Sequence, residues 1–530
     1  MRSTTHRRAY AAAAVALAST IAVAGCAPAA PGDEAPTAYP TYVEAVAAFA
    51  HFNPAIVVQP SIEQVGGSVY EPLVRMNDQF EIVPWLAESW ELSDDGLTAT
   101  FHLVDANWQD GEPFTADDVV YNLEEVTPIQ AYGAPFAANL VSAEATDEHT
   151  VVLTLAKAYA PLLPLLSVQY LLPKHLYEGT DILTNPANLA PVGTGPLVIE
   201  SVEEGSQVVA TANPDYWAGE LQFDRVVFPF TTDVNARDLS ILAGDIDRSR
   251  YVAGSKQAEM DAPATLDTSL RGSVPQFVEF QMNTGNPVLA DAKVRALVNS
   301  AIDRATVMAV AMPNTTAMPT SIYPEALDWA SDSSIDLEKQ FAYDPAKINA
   351  GLDKAGYPVQ GDGWRFTLDV HYMSIFGDLA AVADVMKASF AEVGINLDVV
   401  AEDPTVFNES VYAKGDFDTA IWLATTSQDP SLALVNWYTC NPNKATGRNA
   451  SGLCDADLDA AADAALWVAD QDERAEYLSA VEERAAEIMI GAPIVFNTGM
   501  LVYNTARWSG VENPRNLIGP QDWIQLSPAG

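Results

Sequence analysis

The residues best suited to chemistry lie late in the chain, in Gly415-Asp416-Phe417-Asp418-Thr419-Ala420-Ile421-Trp422 and the following LATTSQDP, Leu423 to Pro430. An indole at a strand end can stack on a peptide plane, a sugar face or a cation, burying a large apolar area. The plain alternative for Trp422 is a core position. Thr425, Thr426 and Ser427 follow with hydroxyl groups, and Tyr372 offers another; all suit an uncharged or backbone-like solute. Asp429, before Pro430, can position this loop without touching ligand. Asn283 ends an alternating run that starts at Phe277. Trp422, Thr425, Thr426, Tyr372, Asn283 and Asp429 are therefore the candidate ligand-binding residues.

Catalysis finds no comparable constellation. The six His are scattered, one at position 6 and the others at His51, His102, His149, His175 and His371. The sequence contains no H-E-x-x-H, G-x-S-x-G, Walker A or C-x-x-C motif. It is read as a binder, not an enzyme, with no cofactor and no metal site. The balance of 27 Lys+Arg against 71 Asp+Glu makes it strongly acidic. A field of that sign repels phosphate backbones, which disfavours nucleic acid as a partner. It also suits a solvated, soluble surface.

The elements that must position these groups can be read in order. Arg2, Arg7 and Arg8 precede an apolar run, Ala9 to Val23, too short to span a membrane. Val23-Ala24-Gly25-Cys26 then resembles a lipobox, whose small residues admit a peptidase while the Cys26 thiol accepts diacylglycerol. The Pro- and Ala-rich stretch that follows cannot form a core and reads as a tether. Asp95-Gly96 is a turn signal before the alternating Leu97, Ala99, Phe101 and Leu103. Thr115 and Asp118 form a capping box ahead of Val119-Val120. Asp291 starts a helix with Val294, Leu297, Val298, Ala301 and Ile302 on one face. Phe366 to Val370, a helix capped by Asp378 and ended by Gly394, and Ile395 to Val399 form a β-α-β unit, so a largely parallel sheet is expected. Cys440 and Cys454 flank a polar, Gly-containing loop in a chain expected to be exported, which predicts a disulfide. Zinc is the alternative, but two Cys without a nearby His are insufficient.

The wording of several stretches goes further than their physics. YEPLV from Tyr70, PWLAESWELSDDG, TATFHL and W-x-D-G-E-P-F-T-A-D-D-V-V-Y closely resemble the extracytoplasmic solute-binding proteins of ABC importers, family 5, which carry peptides, nickel and some sugars. Val192 to Leu197 (VGTGPL), Asn213 to Trp217 (NPDYW), Leu239 to Asp247 (LSILAGDID) and the Asp291 helix, down to Arg295 and Asp303-Arg304, resemble further family phrases. The Cys440 and Cys454 pair looks like the dipeptide-binding branch. The Gly415 to Trp422 stretch looks like the strand that carries a Trp into the family's cleft, and Asp429-Pro430 like the D-P after its loop.

The resemblance implies a periplasmic-binding-protein-like clamshell, type II and of the large subclass: two α/β lobes and an extra third lobe. Residues 1–25 would be a lipoprotein signal peptide and 26–37 the tether. Lobe I would combine 38–70, 190–270 and 495–530, with an extra lobe at 71–189 and lobe III at 271–494. It further implies a monomer, anchored by lipid on Cys26 at the outer face of the cytoplasmic membrane, that closes on a peptide and delivers it to ABC permease subunits. An oligosaccharide or nickel complex, or a sensor without transport, is the alternative. The chain departs from its relatives at two points. Thr425 stands where peptide binders place an Asp for the ligand's amino terminus, and HYMSIFGD, from His371, lacks the Arg that dipeptide binders use for the carboxylate. Loss of both charge partners argues against tight recognition of dipeptides through their ends.

Overall fold

Gly96, at φ +67°, turns the chain into the strand Thr98–Leu103, which buries Ala99, Phe101 and Leu103 and leaves Thr98, Thr100 and His102 half-buried. This strand lies inside an antiparallel sheet ordered Ala87–Leu92, Thr98–Leu103, Thr150–Leu155, Leu140–Asp147. The helix Ala116–Tyr121 carries the expected capping box, with Thr115 N–H donating to Asp118 Oδ2 at 3.0 Å. The computed structural model describes residues 40–529 except 58, 78, 232, 253–255, 270–274, 314–317, 426–428, 499 and 512–521. The leader, the tether, Cys26, Thr426 and Ser427 lie outside the described residues.

Two further sheets gather distant parts of the chain. In one, Tyr42–Val43 runs parallel to Arg225–Pro229, followed by Gln207–Ala212 and Leu197–Glu203 in antiparallel order. In the other, the late strand Met500–Asn504 is central, between Arg248–Val252 and Leu266–Ser269.

The candidate residues from Asn283 to Asp429 belong to a five-stranded sheet ordered Ile395–Glu402, Phe366–Met373, Thr419–Thr425, Pro275–Met282, Gly491–Thr498. The β-α-β unit is present, with Phe366 opposite Ile395 in parallel register and the helix Gly377–Glu392 between. Leu379, Val382, Met386 and Phe390 of that helix are buried with Leu368 and Val370 of the sheet. Each such side chain contributes about 1.5–3 kcal/mol through removal from water. Asp378 falls in the first turn, where it complements the helix dipole, and Phe376 takes the cap position. Gly394 ends the helix at φ +74°.

The sheet is largely parallel, as expected, with four of its five strands pointing the same way. Pro275–Met282 runs antiparallel to both of its neighbours. The reason is connectivity: the chain enters this sheet by Pro275–Met282 and leaves it by Gly491–Thr498, so these neighbours must run in opposite directions. The described residues that flank the two passages lie side by side. Pro275 faces Thr498 in the five-stranded sheet, and Ser269 faces Leu501 in the three-stranded one. Cys440 and Cys454 form a disulfide with their Cα atoms 4.4 Å apart. Among the described residues no helix is long and apolar enough to cross a membrane.

Candidate functional site

The strands Phe366–Met373, Ile395–Glu402, Thr419–Thr425 and Gly491–Thr498 all finish at one edge of the five-stranded sheet, the edge where the chain crosses to the three-stranded sheet. In open sheets with parallel strands, ligands are met outside the carboxyl ends. Thr425 ends its strand there, opposite Gln276. Ile375 and Val406 stand just beyond the strand ends at 53% and 44% exposure, and Ser374 N–H donates to Glu402 O at 2.8 Å. His371, near the same edge, is buried between two carboxylates: Nδ1 is 3.0 Å from Glu402 and Nε2 is 3.5 Å from Asp369. Burial alone lowers its pKa, but the hydrogen bonds with Asp369 and Glu402 outweigh it and raise the pKa above the usual histidine value.

The remaining candidates are distributed unevenly. Trp422 lies directly across from Glu279 on the neighbouring strand and is only 3% exposed. Its ring packs edge-on to Phe407 at 6.1 Å and tilted against Trp437 at 5.2 Å, and its Nε1 has no hydrogen-bond partner among the described residues. Tyr372 is buried in the same core. Asp429 is held by Arg474, with Nη1 2.7 Å from Oδ2, and its Oδ1 accepts from Ser431 N–H at 2.8 Å. It therefore braces the chain immediately after residues 426–428. Asn283 sits at the opposite end of the sheet, because Met282 faces Thr419 whereas Gln276 faces Thr425. Six residues of strand separate those ends, roughly 20 Å. There its side-chain amide donates to Phe417 O at 2.8 Å and Gly415 O at 3.0 Å, holding the turn that feeds the Trp422 strand. The structure thus brings Trp422, Thr425 and Tyr372 into one sheet region, with Asp429 behind the loop and Asn283 remote.

The family-like phrases converge on Glu71, which the sequence singled out only as part of YEPLV. Its buried carboxylate accepts from Trp85 Nε1 at 2.9 Å, Tyr216 Oη at 2.8 Å, Trp217 Nε1 at 2.9 Å, Thr194 Oγ1 at 2.9 Å and Arg75 Nη2 at 3.2 Å. YEPLV, PWLAESW, VGTGPL and NPDYW are therefore parts of one buried knot.

A second group escaped the sequence altogether. Glu63, on the helix Pro60–Gly66, is partly exposed, and its carboxylate makes no hydrogen bond or ion pair among the described residues. Burial raises its pKa, opposed by Arg250. Burial also raises the pKa of Tyr132 and of Tyr170, and in each case Glu63 is the next cause. Arg448, an exposed residue of the disulfide loop, acts in the opposite sense on Tyr132.

Residues 81–445 match the model of the bacterial extracellular solute-binding proteins, family 5, middle part. A Brucella ovis protein provisionally named an ABC transporter peptide-binding protein is 31% identical over 65% of this chain, and the chain spans 65% of that relative's length. The nickel-binding periplasmic protein of Escherichia coli K12 is 26% identical over 72% of this chain and 73% of its own length. The fold is similar to that of NikA from Brucella suis in complex with Fe(III)-EDTA, with a TM-score of 0.81, 23% identity, and coverage of 92% of this chain and all (100%) of that one.

Proposed function

Because the chain belongs to the bacterial extracellular solute-binding proteins of family 5, we propose that it captures peptides outside the cytoplasm and delivers them to the permease subunits of an ABC importer. The observation that carries this is the family match over 81–445, joined to a sheet edge where the strand ends meet the two chain passages. Such a protein does no covalent chemistry. Its ligand stabilises a closed state over an open one, and the energy of transport comes from elsewhere. In this reading the extra lobe, residues 71–189, supports lobe I, and lobe III, residues 271–494, swings about the two passages. Thr425, Thr426 and Ser427 meet the solute, while Trp422 and Tyr372 back them and Asp429 braces the loop. Lipid on Cys26 anchors the monomer at the outer face of the cytoplasmic membrane, with residues 26–37 as its tether.

Peptide is favoured over bare nickel by the state of the imidazole nearest the edge. His371 is already taken by Glu402 and Asp369. A nickel complex is the second reading, prompted by the Escherichia coli relative.

Mass spectrometry of solute released from protein purified out of its native host tests the assignment. Peptides in the released fraction support it. A metal complex or oligosaccharide as the sole solute would overturn it. Cys26→Ser tests the anchor: the variant should no longer partition with membranes.

A further inference from the structure

The chain reaches the five-stranded sheet only after the three-stranded one, from Ser269, and returns to the latter at Leu501. Residues 71–189 therefore meet residues 271–494 through non-covalent contacts alone. One such contact is built around Trp467, in the turn between the helices Ala456–Ala464 and Gln471–Ile488. Its ring lies 5.6 Å from that of Tyr159, and Lys157 Nζ stands 5.0 Å from the indole centre. Beside it, Ala160 N–H donates to Leu466 O at 2.9 Å. Ala469 stands against Gly96, where an added Cβ would lie 3.4 Å from the Cβ of Ala469 and 2.9 Å from that of Ala158. Leu432 is buried in the same cluster as Tyr159, Phe136 and Leu155. A second contact is made by Phe80, in the loop of the hairpin Val74–Met76 and Ile82–Pro84, which packs against the buried cluster of the five-stranded sheet. Phe80 is held at φ +62°, a strained conformation that persists only where the surroundings over-determine it.

Both halves of the Trp467 contact are braced from behind. The Asn139 amide donates to Lys157 O at 2.8 Å, and Lys157 N–H donates to Asn139 Oδ1 at 3.0 Å. On the other side Arg474 Nε donates to Ala465 O at 2.9 Å, and the same guanidinium grips Asp429. The anchor that braces Asp429 thus also holds the turn that carries Trp467. The facing groups are of a kind that can part. Lys157 is exposed, and Ala158, Ala160, Leu466 and Trp467 are half-buried. Water then replaces the single backbone hydrogen bond and solvates the ammonium, as expected where lobes of one chain move against each other. The Tyr159 hydroxyl is buried with no hydrogen-bond partner among the described residues. It regains water when the halves separate, which favours opening.

We propose that Lys157, Tyr159 and Ala160 form a clasp with the turn Ala465 to Ala469 that holds the protein shut over its solute, so that the extra lobe sets how long a captured solute is kept. This rests on the solute-binding role above. The extra lobe is tied to lobe I by Glu71, which accepts from Thr194, Tyr216 and Trp217. Opening at the two passages must therefore draw Trp467 away from Tyr159. The clasp touches no solute, so it governs the rate of release and not the choice of solute.

Parent and variant proteins purified from the native host with their solute, diluted into solute-free buffer and followed by mass spectrometry of what stays bound, test this. Trp467→Ala should release solute about tenfold faster, the combined scale of an aromatic pair and a cation over the ring, and Lys157→Met about threefold faster. Tyr159→Phe keeps the ring and removes the orphan hydroxyl, so it should release no faster than the parent. Hydrogen exchange reads the clasp directly. The Ala160 amide should exchange about tenfold faster once solute is stripped, while Leu103 N–H, which donates to His149 O within the extra lobe, keeps its rate. Equal release from the parent and Trp467→Ala, faster release from Tyr159→Phe, or an Ala160 amide equally protected with and without solute would overturn the clasp and leave the solute-binding role intact. Protein that carries no solute from its host would overturn both. Should Trp467→Ala fail to fold, Lys157→Met, altered at an exposed side chain, and exchange in the unaltered protein decide.

Discussion

Arg474 grips Asp429 with both terminal guanidinium nitrogens, Nη1 at 2.7 Å from Oδ2 and Nη2 on Oδ1, and Nη2 also donates to Ser431 Oγ at 2.8 Å. Both side chains are buried, and the guanidinium lies 5.4 Å from the Trp329 ring centre. Arg474→Met should cost about 3–5 kcal/mol of stability, because it leaves a buried carboxylate without its partner. Adding Asp429→Asn should recover part of that loss. Urea unfolding of the two variants checks both statements.

Glu71 gives a comparable test in another part of the chain. Glu71→Ala removes the acceptor of five donors, the buried Trp85, Tyr216, Thr194 and Arg75 and the half-buried Trp217, and should cost about 3–5 kcal/mol. Glu71→Gln keeps an acceptor oxygen and should cost less. Equal losses for the two would show that volume, not hydrogen bonding, sets the effect.

Trp422→Ala should lower stability by about 3–5 kcal/mol, since it empties a site walled by Phe407 and Trp437. Trp422→Phe should retain much of that packing. With ligand affinity measured beside melting temperature, Trp422→Phe should leave the dissociation constant within about threefold if the indole backs the edge without touching solute.

Replacing both Cys440 and Cys454 by Ser should cost about 3 kcal/mol, the loop-closure scale for a separation of 14 residues. Thermal unfolding under oxidising and reducing conditions checks that number.

His371 predicts a pH dependence of definite sign. A histidine whose folded pKa is raised binds its proton more tightly in the folded state. Its contribution is therefore fully present below the unfolded value of about 6.5 and is lost as pH rises through the folded pKa. The gap in unfolding free energy between the parent and His371→Gln should shrink as pH rises above the usual histidine value of about 6.5. A gap that widens would contradict the pairing with Asp369 and Glu402.

Local patterns foretold local structure well. The Thr115 capping box, the Asp291 cap and the Gly394 stop are each set by neighbours within a few residues. The direction of Pro275–Met282 was not legible, because it depends on where the chain enters and leaves a sheet assembled from positions more than two hundred residues apart. Asn283 shows the same limit at a site. Its type suits ligand binding, but its amide holds the carbonyls of Gly415 and Phe417, a pairing that no spacing rule encodes. Trp422 was legible as a strand residue, and the choice between cleft and core turned on Phe407, Tyr412 and Trp437, which only the fold brings to it.

The pairing of the residues that flank the two crossings, Ser269 with Leu501 and Pro275 with Thr498, has a consequence for what a partner can sense. In the proposed clamshell, paired connections at neighbouring points leave one soft degree of freedom, a rotation about the line through them, and resist twist and shear. Any solute that draws the two sheets together moves the protein along that same coordinate, whatever its side chains. A receiving surface that reads the angle of this coordinate receives a single binary message and learns nothing of the solute's identity. Discrimination is then completed before docking, and a change in ligand preference can evolve at the strand ends without any matching change at the surface that reports it.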